Sequence, residues 1–236
     1  MISGKPVVVL KKLGYLAYQQ ALTIQKKLVQ QLHDSLASPK IPLGGCRRNF
    51  LLLVEHEPVY TVGIRSSAYT ASEEQKLRAL GADFVRTNRG GLITFHGPGQ
   101  LVAYPILYLG DFSSKKSMRW YVYQLEQCII HMCKYYGIQA STSPYTGVWV
   151  KEKKIAAIGI HGSRYVTSHG VAINCNTDMS WFHHIVPCGI PDKGVTSLSQ
   201  ELGKNISVTE ATTYFIQAFE EQFKCTVLQE NMLKES

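Results

Sequence analysis

The 236-residue sequence predicts an α+β domain, a mixed, largely antiparallel sheet packed by helices. Three observations lead there. Apolar residues make up 45% of the chain and charged residues 18%, enough at this length to bury a core without disulfides or metal. Short strand-like runs and helical stretches follow one another in a mixed order, several of the strands showing β-branched alternation. No linker-like stretch divides the chain and no repeat is visible, so residues 1–236 read as one domain.

Pro6-Val-Val-Val-Leu10 reads as the first strand. A helix over about 15–35 follows, with Tyr18, Leu22, Val29 and Leu32 on one face. Pro39, Pro42, Gly44 and Gly45 mark a loop. Phe50 to Val54 is a buried strand and Val59 to Val62 a short second one. Ser72 with Gln75 forms a capping box for a short helix ending near Gly81. Strands are expected at about 83–87, 92–95 and 101–107, then a long helix over 117–136 stopped by Gly137. Further strands fall at about 147–151, 154–161, 164–168 and 170–175. Ser207 and Glu210 cap a last helix to about 223, and residues 225–228 close with a strand.

The formal net charge is +8, and it is uneven. Residues 1–195 carry 22 bases and 11 acids, residues 196–236 three and six. A basic body attracts polyanions, or simply keeps the chain soluble. No Lys/Arg block exceeds three residues in five, and no nucleic-acid motif is present, so an acidic protein is favoured over nucleic acid. The longest apolar run, Phe50 to Val54, is far short of the ~20 residues of a membrane helix. The six cysteines show neither CxxC nor any HxxxH or HExxH companion, so no metal site is expected and most thiols read as buried and inert. Residues 1–33 hold five lysines and no acid, a presequence-like composition. Their strand and helix pattern nevertheless makes them part of the fold, and no secretory signal is expected.

Four segments could carry chemistry. Arg89 to Gln100 packs four glycines and a proline around an Arg, a His and a Gln. It matches no nucleotide-phosphate motif, and reads either as two tight turns around a strand or as a binding loop. Lys154 starts an apolar strand, where it is either a solvated strand end or a fixed positive charge. His169-Gly170 enters the apolar run to Asn174, otherwise a turn before a core strand. Cys188, between Pro187 and Gly189, sits on a turn, where a thiol is accessible and a neighbouring cation lowers its pKa.

In this order the four segments resemble the lipoyl(octanoyl) transferase family. The carriers are Arg89 to Val102 for RGGxxT[YF]HGPGQLV, Lys154 to Gly159 for KIxxxG, His169 to Asn174 for HGxAxN, and Pro187-Cys188-Gly189 followed by Thr196-Ser197. The match spans about residues 7–228. Tyr145 to Trp149 and Trp181 to Cys188 look most like the mitochondrial animal members.

The resemblance implies the biotin/lipoate-protein ligase-like fold and an octanoyl transfer needing no cofactor and no metal. The donor would be octanoyl-acyl carrier protein. The acceptors would be lysines of lipoyl domains, in the glycine cleavage H protein and the 2-oxoacid dehydrogenase E2 subunits, with a mitochondrial location and neither nucleic acid nor membrane involved. By family role Cys188 takes the acyl group as a thioester and Lys154 lowers its pKa. Arg89, Gly90, Gly91, Leu92, Ile93, Thr94, Phe95 and His96 map onto the first acyl-binding segment. Ala157, Ile158 and Gly159 map onto the second, and Gly170, Val171 and Ala172 onto the third. Position 157 is Ala where some members have Ser, so its contact is through backbone. Backbone N–H groups of the 187–189 turn are candidate oxyanion donors. The alternatives are an ATP-dependent lipoate-protein ligase of the same fold, which lacks the cysteine, and a non-catalytic lipoyl-domain scaffold.

Overall fold

The computed structural model describes residues 5–37, 48–67, 69–189 and 193–229. The expected loop around Pro39 to Gly45, and Cys46, lie outside them. Strand β1 is Val7–Leu16 and helix α1 is Tyr18–Ala37. Then come β2 (Asn49–His56), β3 (Val59–Val62), α2 (Ala71–Ala79), β4 (Asp83–Arg86), β5 (Thr94–His96) and β6 (Gln100–Ile106). Helix α3 is Met118–Tyr135, followed by β7 (Val148–Val150), β8 (Lys153–Ser163) and β9 (Val166–Asn174). The chain continues through β10 (Gly194–Val195), α4 (Leu198–Leu202), α5 (Val208–Phe223) and β11 (Thr226–Gln229).

Among the described residues the large sheet runs β10-β8-β9-β6-β2-β1-β11, with β7 paired to β8. The β8–β9–β6–β2 centre is antiparallel, and β2–β1, β1–β11 and β8–β10 are parallel. Strands β4-β3-β5 form a second small sheet that the sequence pattern does not separate from the first. The period-2 alternation of β2 sorts its side chains between two layers. Leu51 and Leu53 join the core under α3 and α5, with Leu125, Ile129, Phe215 and Phe219. Phe50, Leu52 and Val54 join the core under α1, with Tyr18, Ala21, Leu28 and Leu32. Leu22 and Val29 are only partly buried against that second core.

Strand β1 runs six residues past its expected end, to Leu16, so α1 starts at Tyr18 rather than near residue 15. Other local signals act largely as expected, with three further corrections. Helix α3 ends as expected, with Gly137 at φ 73° as its left-handed terminator. Ser207 accepts the Glu210 N–H at 3.1 Å and opens α5. Helix α2, however, is capped by Thr70 and Glu73 rather than Ser72 and Gln75. Both pairs fit the capping pattern, but a carboxylate accepts the cap N–H (2.7 Å) better than an amide and suits the positive helix end. The strands expected at 164–168 and 170–175 are one strand, β9. Its hairpin turn falls on Arg164 and Tyr165, at φ 48° and 65°, a left-handed pair without the usual Asn or Gly. The strand expected at 92–95 starts only at Thr94, because Leu92 and Ile93 continue the glycine loop.

Gly170 in β9 faces the β6 backbone so closely that a Cβ would collide with the Ala103 carbonyl and approach Pro105 Cδ to 2.8 Å. Gly170→Ala therefore lowers stability by about 2–3 kcal/mol, read as a drop in the urea midpoint. An unchanged midpoint would show that β6 and β9 separate freely.

Candidate active site

The site begins with the Arg89–Leu92 loop, which reverses between β4 and β5. Arg89 is 7% exposed although charged. Its guanidinium donates to the Gly90, Leu92 and Thr61 carbonyls and to Thr61 Oγ1 (2.9 Å). Loop backbone also ties to the large sheet, since Gly90 N–H donates to Ile160 O at 2.9 Å. Gly63 and Gly159 permit this closeness. A Cβ at Gly63 would sit 2.6 Å from Arg89 O, and one at Gly159 would sit 2.9 Å from Arg89 Cδ.

From Arg89 a directed chain of hydrogen bonds crosses the site. The Gln100 amide donates to Phe95 O and Asn174 Oδ1 (2.8 Å), so its oxygen faces His96. His96 Nδ1–H donates to that oxygen at 2.7 Å, leaving Nε2 to accept from Thr61 Oγ1 at 3.2 Å. Asn174 completes the run by donating to Thr196 O at 2.9 Å. Thr196 N–H in turn donates to Lys154 O at 3.0 Å.

Two further imidazoles flank the chain. His56 donates from Nδ1 to Leu16 O (3.0 Å) and accepts from Tyr104 OH at Nε2 (2.8 Å). His169, at φ 56°, donates from Nε2 to Asn88 Oδ1 (2.8 Å) and accepts from Tyr18 OH (3.4 Å). Burial holds all three imidazoles neutral. It pushes His56 down to about 4 and His96 to about 3, and with Arg89 nearby it takes His169 to about 3. Burial likewise raises the Tyr18 phenol to about 12 and holds Tyr104 well above the ordinary phenol range.

Lys154 stands at the end of this chain of bonds and is only 5% exposed, so it is not a solvated strand end. Its Nζ stands 4.8 Å from the centre of the Trp149 ring, a cation–π contact. Gly147, at φ 121°, makes room for the stem: a Cβ there would meet Lys154 Cε at 3.3 Å and Ala156 O at 2.7 Å.

The Pro187–Gly189 segment is a single 3₁₀ turn. Pro187 shares a small cavity with Lys154, Thr94, Gln100 and Asn174. Gly189, at φ 70°, packs its backbone on the Leu92 side chain. The turn carrying Cys188 is thus flanked by Lys154 on one side and the glycine loop on the other. Gly189 N–H already donates to Val186 O at 2.9 Å, which removes it from the expected oxyanion donors. The described thiols, Cys128, Cys133, Cys175 and Cys225, are free and buried, and burial raises every one.

Behind Leu92 opens a narrow cavity. Its apolar wall includes Leu92, Val102, Ala157, Ile158, Val171 and Ala172, and its polar end is Arg89, Thr94, His96 and His169. Residues 17–220 match the lipoyl protein ligase A/B catalytic domain. The chain belongs to this family. It is 62% identical over 215 residues to the mitochondrial octanoyl-[acyl-carrier-protein]:protein N-octanoyltransferase of Danio rerio, covering 91% of this chain and 92% of the relative. A Xenopus tropicalis relative of the same name is 51% identical over 219 residues, covering 92% and 87%. The fold is shared with the bipartite lipoate protein ligase of Thermoplasma acidophilum, at TM-score 0.68 and 14% identity over 98% of this chain and 89% of that one.

In this lipoyl protein ligase A/B domain, the three segments expected to bind acyl groups converge on one cavity. Arg89, Gly91, Leu92, Thr94, His96, Ala157, Ile158, Gly159, Gly170, Val171 and Ala172 line it. Gly90 instead lines the adjoining groove. Ile93 and Phe95 turn away into the core of the small sheet, Phe95 because alternate residues of a strand face opposite sides and Ile93 from the end of the loop. Tyr18, Val102 and Tyr104 line the cavity without having been picked out as site residues. Tyr18 sits on the apolar face of α1, where its ring gives a core signal and its hydroxyl none. His56 and Thr61 stand alone in apolar strands and carry no motif.

The imidazoles set an acid limit. Unfolded, each takes a proton below its ordinary 6.5; folded, none does until about 4 or lower. Within that window the unfolded chain binds more protons, so stability that is complete above 6.5 is lost as pH falls. Urea midpoints should drop from pH 7 to 4, with a shallower slope in His96→Gln. A flat profile would contradict burial of neutral imidazoles.

Proposed function

We propose that this domain is an octanoyltransferase, moving octanoyl from octanoyl-acyl carrier protein to a lysine of a lipoyl domain through a thioester on Cys188. The observation that carries this reading is an apolar cavity that shares Thr94 and Ala157 with a smaller one lined by Lys154 and by Pro187, the neighbour of Cys188. Its walls are aliphatic and small, suited to an alkyl chain. Burial is worth roughly 0.8 kcal/mol per methylene, or about 5 kcal/mol for the six by which octanoyl exceeds acetyl. The similarity to mitochondrial octanoyl-[acyl-carrier-protein]:protein N-octanoyltransferases supports the acyl carrier donor and a mitochondrial location.

In the first step the Cys188 thiolate attacks the thioester carbonyl. A new S–C bond forms, the old one breaks, and the carrier's thiolate departs and takes up a proton. In the second step a neutral lysine amine attacks the acyl-cysteine, the Cys188 thiolate leaves, and the amine's surplus proton passes to solvent or to a basic group. Thioester exchange is nearly isoenergetic and aminolysis of a thioester to an amide is downhill, so neither step requires ATP. The Lys154 ammonium, buried in low dielectric, favours thiolate over thiol. The acceptors are lipoyl domains such as the glycine cleavage H protein and 2-oxoacid dehydrogenase E2 subunits, whose acidic surfaces suit the basic body of the chain.

Incubation with octanoyl-carrier protein, without ATP, adds one octanoyl mass at Cys188, and apo lipoyl domain then removes it. Cys188→Ala abolishes transfer. Acyl mass on Cys46, or a strict need for ATP, would sink the reading, the latter in favour of a ligase.

Lys154→Met raises the pH midpoint of Cys188 alkylation by iodoacetamide by on the order of one unit or more. Lys154→Arg retains most of the wild-type alkylation profile because it keeps the charge. An unchanged midpoint in the Met variant removes Lys154 from thiol activation.

A further inference from the structure

We propose that the groove beside Lys154 receives the arm of the acyl donor as a strand-like addition to the open edge of β8. That arm is an extended chain with two secondary amides, the thioester at one end and a phosphodiester at the other. The inference rests on the octanoyltransferase reading and adds the donor's site to it.

Strand β7 leaves β8 after the Val148–Ala156 pair, while β9 occupies the opposite edge from Ala156 to Ser163. The next partner on the β7 side is Gly90, whose N–H meets Ile160 O. Backbone groups alternate in direction along a strand. Since Ala156 and Ile160 face that side, the N–H and C=O of Ile158 face it too, and among the described residues no strand pairs with them there. A ligand amide supplies both missing partners, as in strand addition by extended peptides.

The groove at this edge has about 860 Å³ of unfilled space, and its lining includes Arg65, Gly90, Thr146, Lys154 and Ile158. It shares Gly91, Ile158 and Gly159 with the acyl cavity. An arm in the groove and an acyl chain in the cavity therefore meet across one strand, with the thioester beside Lys154. Arg65 is exposed and offers a cation to the phosphate. The acceptor's lysine stem, four methylenes with neither amide nor anion, uses none of these features.

The test is single-turnover acylation of Cys188 by octanoyl-pantetheine, with and without the 4′-phosphate, read by intact mass. In the wild-type chain the phosphate raises kcat/KM about tenfold, and Arg65→Ala removes that gain while leaving the unphosphorylated donor unchanged. Thr146→Trp, at an exposed position the fold tolerates, slows acylation by both donors but not transfer from preformed octanoyl-enzyme to a lipoyl domain. A phosphate without effect, or an Arg65→Ala loss equal for both donors, would overturn the proposal. So would a Thr146→Trp defect confined to transfer, which would give the groove to the acceptor lysine. Failure of octanoyl-carrier protein itself to acylate the wild-type chain is a separate result; it would overturn the octanoyltransferase reading and this inference with it.

Discussion

The arrangement depends on one buried cation that is satisfied by backbone. Leaving a guanidinium in low dielectric without partners is prohibitively costly. Arg89 meets that cost by donating to carbonyls of its own loop and of β3, so the loop is pinned to the small sheet by the charge it carries. From Thr61 the order of donors and acceptors is forced, through His96, Gln100 and Asn174 to Thr196. No member can turn round without leaving a buried donor facing a donor. The loop at one end of the cavity and the strand packed against Lys154 are therefore registered to each other by polar contacts rather than by packing alone.

This produces a site of unusual electrostatics. The buried Arg89 guanidinium stands near imidazoles and phenols that are held uncharged, and Lys154 is a second buried cation. Aliphatic walls keep the local dielectric low, so the field of those cations is weakly screened. A carbonyl oxygen that gains negative charge is favoured in such a field, and positive charge from a substrate is not. The neutral histidines add dipoles and hydrogen bonds without opposing that polarity.

Much of the architecture was legible because it rests on local rules. Gly137 and Ser207 bound their helices for reasons contained within a few residues. The glycine loop, Lys154 and the 187–189 turn announced themselves by residue types out of keeping with their apolar surroundings. What stayed hidden is decided at long range. The turn at Arg164 and Tyr165 uses residues that rarely adopt left-handed φ, so only strand pairing reveals it. Burial of Lys154 requires β7 and β10 to close on β8, which no local pattern states. Tyr18 and His169 meet over 151 positions of sequence, and although His169 stands in a motif, nothing local pairs it with Tyr18. Ile93 and Phe95 belong to a motif yet serve the core, since a motif records position and not which face a residue takes.

The parallel seam formed by β1 with β2 and β11 has a consequence for how the chain reaches this state. Strand β1 is closed on its outer side by β11, Val7 to Leu10 lying against Thr226 to Gln229. Until a ribosome has released the final turn of α5 and the residues after it, the Val-Val-Val run of β1 keeps one row of amides and carbonyls uncovered. Such an edge recruits other extended chains. Pairings of this sequence separation form slowly, because the intervening loop must be ordered before the contact repays it. The chain's vulnerability to self-association is thus concentrated in the interval before β1 and β11 join, and a lesion near residue 226 would be felt first as poor yield of folded protein.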